Sequence, residues 1–257
     1  MKIACCLSIP LLLFAFKLIN PLEEAAGVKV SGHHVVGTRH GSSLPPRYSY
    51  QATGWEILFD GNGMEKWRGK SKDGFPSEGW KVEDGLLFLD GSGGDIITKD
   101  TYSSFELIFD FKLTEGANSG VKYLVDTLIS REDNHIMVNG PEYQIIDDYN
   151  HREVREHNDG LISTGSVYLL YAPKNKKLSP SGQWNTGRII VRGNNVEHWL
   201  NGVKVVTYQR GSKDFLERKA KTKFKNDVRY GELESGHILL TDHHDKVYFR
   251  NIKIRRL

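Results

Sequence analysis

Cysteine is almost absent from this chain of 257 residues, and the two it has, Cys5 and Cys6, stand at its very beginning. Everything beyond them is free of thiols, which excludes a disulfide framework, a thiolate nucleophile and a cysteine-ligated metal from the body of the protein. Stability there must come from a packed core. An excess of charge of one sign is also missing: 35 Lys and Arg face 32 Asp and Glu, a formal net charge of +3, with both signs interspersed along the chain. That balance gives no nucleic-acid footprint, and no polyanionic partner is expected. Nor does the apolar run from Ile3 to Phe16 reach the length of about 20 residues that a membrane span takes.

What the amino end does hold is Lys2, that apolar run and then polar sequence, the layout of a secretory signal. Residues 1–26 are expected to be removed on export. Residues 27–53, rich in Gly, Ser, Pro and His without sustained apolar periodicity, read as a leader or linker. Cys5 and Cys6 precede most of the apolar run instead of following it, which argues against lipid attachment. The mature chain is then exported, without a membrane span, to the periplasm, the cell surface or the medium.

Residues 54–257 repeat one pattern, in which short runs of β-branched and aromatic residues alternate with clusters of Gly, Asn and Asp. Examples are Trp55 to Phe59, Phe105 to Leu113, Tyr143 to Ile146, Val167 to Tyr171, Val196 to Leu200 and Val247 to Ile254. This predicts an all-β sandwich. Within Phe105 to Leu113 the residues Phe105, Leu107, Phe109, Phe111 and Leu113 share one face, while Glu106, Asp110 and Lys112 share the other. Val247, Phe249, Ile252 and Ile254 share a face only if the strand bulges around Arg250 and Asn251. Asp84-Gly85, Asp60-Gly61, Asn201-Gly202 and Gly193-Asn194 are hairpin signals, so most of the sheet is expected to be antiparallel. From Ser212 to about Lys225 the spacing turns helical, and a short surface helix is expected with Phe215 and Leu216 inward.

The segment from Gly140 to His151 carries the chemistry. As a strand it sets Glu142, Gln144, Ile146 and Asp148 on one face and Tyr143, Ile145 and Asp147 on the other. A row of acid, amide and acid is costly to bury unpaired and has no reason to be regular if exposed, so a ligand-binding face explains it better than a solvated edge strand. A slip of one residue exchanges Asp147 for Asp148.

Seven blocks in order resemble the 3-keto-disaccharide hydrolase domain family: Gly54 to Gly61 with Trp67, Trp80 to Leu86, Asn118 to Tyr123, Glu142 to Asp147, Trp184-Asn185, His198 to Gly202, and Phe249 to Ile252. The resemblance implies a concanavalin A-like jelly roll of two antiparallel sheets that binds sugar across one of them. The acidic strand is also similar to that of family 16 glycoside hydrolases, but Gln144 stands where a second carboxylate belongs, which counts against double displacement by two carboxylates. Instead the resemblance implies cleavage of an oligosaccharide or glycoside already oxidised to a ketone at carbon 3 by a separate sugar 3-dehydrogenase. A base removes the acidified proton at carbon 2, the enolate expels the aglycone from carbon 1, and water adds afterwards. Such a site assigns Glu142 or Asp148 as base, Gln144 to sugar hydroxyls, and Lys122 or His151 to the enolate oxygen.

The remaining candidates come from residue type and place. Trp67, Tyr149 and Tyr171 suit a sugar groove, whereas Trp55, Trp80 and Trp184 lie in framework runs. Asn118 is a candidate sugar ligand, although turn formation explains Asn118, Asn185, Asn201 and Asn251 equally. Asp242, His243 and His244 form a second polar cluster that could bind substrate or, with Asp147, Asp148 and His151, a divalent ion such as Ca, Mn or Zn; turn residues are the plainer reading. A non-catalytic carbohydrate-binding domain on the same scaffold stays open beside the enzyme.

Overall fold

A computed structural model describes residues 54–129 and 136–257. The signal and linker expected over 1–53 lie outside the described residues. In chain order the elements are β1 (Glu56–Phe59), β2 (Trp67–Gly69), β3 (Trp80–Glu83), β4 (Leu86–Leu89), β5 (Ile96–Thr98), β6 (Phe105–Leu113), β7 (Asn118–Ile129), β8 (Ile136–Asn139), β9 (Glu142–Ile146), α1 (Arg152–Glu156), β10 (Trp184–Arg192), β11 (Asn195–Leu200), β12 (Val203–Gln209), α2 (Lys213–Lys219), β13 (His237–Leu240) and β14 (Val247–Arg256). They form two antiparallel sheets, as expected. The larger runs β12-β11-β10-β6-β14-β4-β3, with β1 also on β14, and the smaller runs β2-β5-β13-β7-β8, with β9 also on β7. No helix among the described residues is long and apolar enough to cross a membrane.

The alternation in β6 does what the spacing requires. Phe105, Leu107, Phe109, Phe111 and Leu113 all enter the core between the sheets. Across from them Val121 and Tyr123 of β7 and Tyr143 and Ile145 of β9 come from the smaller sheet, with the Tyr143 ring edge-on to Phe109 at 5.4 Å. Gly187 is forced by this packing, because a Cβ there would stand 2.3 Å from the Phe109 ring. In β14 the register shifts between Arg250 and Lys253 with Asn251 at φ 53°, the bulge that the apolar spacing demands. Asp84-Gly85 and Asn201-Gly202 make hairpins with both residues at positive φ. Asp60-Gly61 does not, since β1 and β2 belong to different sheets.

Three expectations are corrected. Val167 to Tyr171 is not a strand; Val167 makes only isolated bridges to Tyr143 and Tyr171. The helix is shorter than its spacing suggested, with Ser212 as N-cap, and while Phe215 is fully buried, Leu216 is 46% exposed. One buried residue per turn is enough here: Phe215 joins a stack of rings with Tyr208 and Tyr230, and Lys219 one turn on is buried and donates to the Tyr230 carbonyl. The short α1, capped by His151, has no sequence signal beyond that cap.

A polar network runs through the core. His198 is fully buried, its Nδ1 3.1 Å from the Gly165 carbonyl and its Nε2 2.8 Å from the Tyr123 hydroxyl, which is 2.7 Å from that of Tyr208. A carbonyl only accepts, so Nδ1 carries the proton and Tyr123 donates to Nε2. Burial holds the imidazole neutral, its pKa pushed down to about 4. The network ties β7, β11 and β12 to the segment that flanks β9.

Candidate active site

β9 is enclosed on both edges. On one side it pairs with β7 in the register Asn118 to Ile146, Gly120 to Gln144 and Lys122 to Glu142. On the other, Gln144 and Glu142 exchange backbone hydrogen bonds with Gly165, Ser166 and Tyr168. Tyr143 and Ile145 point into the core, so Glu142 and Gln144 project from the outer face of the smaller sheet, together with Asn118, Gly120 and Lys122 of β7. The face is not a solvated one: Glu142 is 6% exposed and Gln144 2%.

The Glu142 side chain lies flat across β7, and a Cβ at Gly120 would meet its Oε1 at 2.1 Å, so glycine here lets the carboxylate lie where it does. Oε1 is buried and has no hydrogen-bond partner among the described residues. Gln144 next to it is oriented by donating from Nε2 to Asn118 Oδ1 at 2.9 Å. Lys122 is the cross-strand partner of Glu142, which sets their Cβ atoms about 5 Å apart. Two phenols that the spacing did not single out stand near this carboxylate. Tyr168 is pushed up by burial first and then by the charges of Glu142 and Glu153, and the fully buried Tyr230, whose hydroxyl also lacks a partner among the described residues, feels Glu142 as well. Tyr168 falls in the run that reads as a strand over Val167 to Tyr171, and Tyr230 lies in a run without periodicity, so neither carries a sequence signal.

The other candidates are committed elsewhere. Asp148 turns away from the row at the end of β9; its Oδ1 accepts from the Thr164 amide at 2.8 Å and its Oδ2 is ion-paired with Lys176. The Asp147 carboxylate organises the turn, accepting from the amides of Gly116, Tyr149 and Asn150 and from the Asn150 side chain. Burial opposes its charge, but these donors hold the carboxyl below its usual range. His151 uses Nδ1 to cap α1 by accepting from the Glu153 amide at 3.2 Å. Trp67 is wholly buried and donates to the Leu58 carbonyl, so it belongs to the core and no groove. Tyr149 is 56% exposed and donates to the Leu178 carbonyl. Tyr171 lines a separate cavity of about 700 Å3 with Lys174, Lys204 and Arg218, bonded to Asp214 and covered by the Arg218 guanidinium.

The second polar cluster also resolves into turn chemistry. Asp242 accepts from the amides of Gly93, Gly94 and His244, which locks the loop before β5 against the loop after β13. His244 sits at φ 67° with an exposed ring. Among the described residues no three His, Cys, Asp or Glu side chains converge as a metal site, and the oxygens of Asp147, Asp148 and Asp242 are occupied by protein donors. The residues expected to hold a divalent ion therefore do not fit one. Asn185 and Asn201 bond each other and the backbone around the β10 and β11 turns.

Residues 54–255 match the family of 3-keto-alpha-glucoside-1,2-lyase-like domains. The chain belongs to this family. It is 29% identical to the 3-keto-disaccharide hydrolase of Bacteroides thetaiotaomicron over 99% of this chain and 97% of that one. Among solved structures, a candidate glycosyl hydrolase from Parabacteroides distasonis is 32% identical with a TM-score of 0.68, covering 79% of this chain and 94% of its own. A second candidate glycosyl hydrolase from the same organism is 28% identical with a TM-score of 0.57, covering 79% of this chain and 99% of its own. The two solved structures share the jelly roll of two antiparallel sheets described above.

Proposed function

We propose that this chain is a carbohydrate-active enzyme, a hydrolase or lyase that cleaves glycosides bearing a ketone at carbon 3, with Glu142 as its base. The observation that carries the reading is one buried carboxylate oxygen, Glu142 Oε1, without a hydrogen-bond partner among the described residues, on a residue whose strand neighbour is a lysine. Buried polar atoms are nearly always satisfied, and of the five that lack a partner among the described residues Glu142 Oε1 is the one on the acidic outer face, which supports a ligand there. The names borne by the relatives supply the substrate class. Asp148 is the weaker candidate because its charge is already answered by Lys176 and Thr164.

The chemistry needs few groups. Glu142 takes the proton from carbon 2, and the electron pair passes into the enolate of the carbon 3 ketone, whose negative oxygen Lys122 stabilises. The enolate then reforms the ketone as a carbon 1 to carbon 2 double bond appears and the bond from carbon 1 to the aglycone oxygen breaks. Protonated Glu142 is the site's own proton source for that departing oxygen. Water added to carbon 1 completes hydrolysis, and release before hydration gives the lyase outcome. Gln144, held by Asn118, orients sugar hydroxyls. A single carboxylate suffices for this sequence, in agreement with the amide at position 144. In this reading a sugar 3-dehydrogenase supplies the ketone, and the signal-like apolar run near the amino end supports a site of action outside the cytoplasm.

The test is aglycone release from a 3-keto-glucoside beside the unoxidised glucoside, with and without chelator. Release from the keto substrate alone, reduced about 10²- to 10⁴-fold in Glu142→Gln with ligand still bound, is expected. Binding of both sugars without release from either would leave a carbohydrate-binding domain.

A further inference from the structure

The outer face of the larger sheet differs from an ordinary solvated face in how its tryptophans are dressed. Trp184 has Lys112 5.1 Å and the Arg250 guanidinium 4.0 Å from its ring centroid. Trp199 has Arg188 at 5.0 Å and Lys204 at 5.7 Å, and Trp55 has Lys253 at 5.1 Å and Arg255 at 4.8 Å. Cross-strand register produces the arrangement: Trp184 pairs with Lys112, which pairs with Tyr248, while Trp199 pairs with both Arg188 and Lys204. Each ring is half-buried; the cations of Trp199 come from the strands on either side of it, those of Trp184 from β6 and β14 on one side, and those of Trp55 both from β14.

The carboxylates among these residues are fewer than the cations. Glu106 serves both Arg188 and Arg255, Asp110 serves Arg250, and Glu197 serves Lys204. Lys112 and Lys253 have no carboxylate within ion-pair distance among the described residues. A chain whose total charge is only +3 thus gathers its positive excess on one sheet face. Interspersion along the sequence hid this, because strands far apart in sequence bring their cations together; the expectation that no polyanion binds was drawn from the sum and not from the placement.

We propose that the outer face of the larger sheet is a docking surface for an acidic polysaccharide, one whose sugar rings carry carboxylate or sulfate groups. Charge complementarity chooses an anion. The aromatic rings choose a sugar polymer, since Trp rings pack on sugar rings and Trp199 and Trp55 stand four interstrand spacings apart across the sheet, about 19 Å, the length of several sugar units. The surface is separate from Glu142, on the opposite sheet, and would hold the enzyme against a polymer while the other face works on small glycosides.

The experiment is affinity electrophoresis of the exported form of the whole protein in gels containing polygalacturonate, chondroitin sulfate or neutral amylose. Retardation by the two acidic polymers and not by amylose is expected, weakening as salt rises. Lys112→Glu with Lys253→Glu should weaken it by roughly tenfold, the size expected for reversing two exposed charges, and Trp184→Ala should weaken it at unchanged net charge. Glu142→Gln should be retarded as the wild type is, which separates this surface from the candidate active site. Equal retardation by amylose, no retardation at all, indifference to the double reversal in a variant with native near-ultraviolet circular dichroism, or tighter retention by duplex DNA than by the glycans would each overturn the proposal.

Discussion

The two sheets treat their polar residues in opposite ways. On the outer face of the larger sheet every carboxylate named above is met: Glu106 holds two guanidiniums, Asp110 accepts from Thr186, Arg250 and Asn251, and Glu197 accepts from the Trp199 indole. On the outer face of the smaller sheet Glu142 is buried almost as deeply as Glu106, yet one of its oxygens has no partner among the described residues. Satisfied polar groups hold a fold together, and an unsatisfied one left in a buried place signals a missing partner. The difference teaches that acidity on a strand says little until its hydrogen bonds are known, since Asp147, Asp148 and Glu142 lie within seven residues and only the last is unfilled.

The contrast is broken most directly at Glu142 itself. Glu142→Gln should cost 10²- to 10⁴-fold in turnover, roughly 3 to 5 kcal/mol in the barrier, while urea denaturation shows equal or slightly greater stability because a buried charge has been replaced by a neutral amide. A marked loss of stability would show that the carboxylate is structural like its neighbours. Gly120→Ala attacks the same group without touching it. The new methyl would overlap Oε1, and since that oxygen ends a flexible side chain the carboxylate moves while the strand stays. Turnover should fall by about 10-fold or more with the melting temperature changed little; unaltered kinetics would show that the placement of Glu142 does not matter.

How much of this was legible in the sequence follows from what each feature depends on. The core face of β6, the bulge at Asn251 and the Asn201-Gly202 hairpin are set by residues within a few positions of one another, so spacing reveals them. Glu142 and Gln144 were visible for the same reason. What spacing could not reveal were partners from far along the chain: Lys176 for Asp148, the amides of Gly93 and Gly94 for Asp242, and the Leu58 carbonyl for Trp67. Each took a residue that looked free and made it part of the frame. Cross-strand register had the reverse effect on the larger sheet, assembling an aromatic and cationic surface from residues that look scattered in the chain.

A buried group that titrates sharpens the comparison from the side of the frame. His198 is neutral in the fold, with its pKa lowered from 6.5 to about 4, and the unfolded chain binds the proton that the folded one refuses. Stability should therefore be complete above pH 6.5 and fall as the pH drops toward 4, by up to about 1.4 kcal/mol per pH unit from this group alone. Urea midpoints measured between pH 4 and 7 on the wild type and on His198→Gln, which keeps a donor for Gly165 and an acceptor for Tyr123, test it. Parallel curves for the two proteins would assign the acid sensitivity to other groups.

The smallest effect belongs to Glu106, the best satisfied carboxylate of the larger sheet. Its side chain is 3% exposed, whereas its partners Arg188 and Arg255 are 33% and 39% exposed. Removing it leaves two guanidiniums that can reach water, so the loss is that of the hydrogen bonds and of the packing around the carboxylate, and not the 3 to 5 kcal/mol of stranding a fully buried charge. Glu106→Ala should lower stability by about 1 to 2 kcal/mol and Glu106→Gln by about half as much, each with turnover within about twofold of wild type. A tenfold loss of turnover in Glu106→Gln would couple the two faces through the core and end the division of labour between them. A stability loss without that coupling would leave Glu106 in the frame and Glu142 in the site, two carboxylates of like burial distinguished by whether their oxygens are already taken.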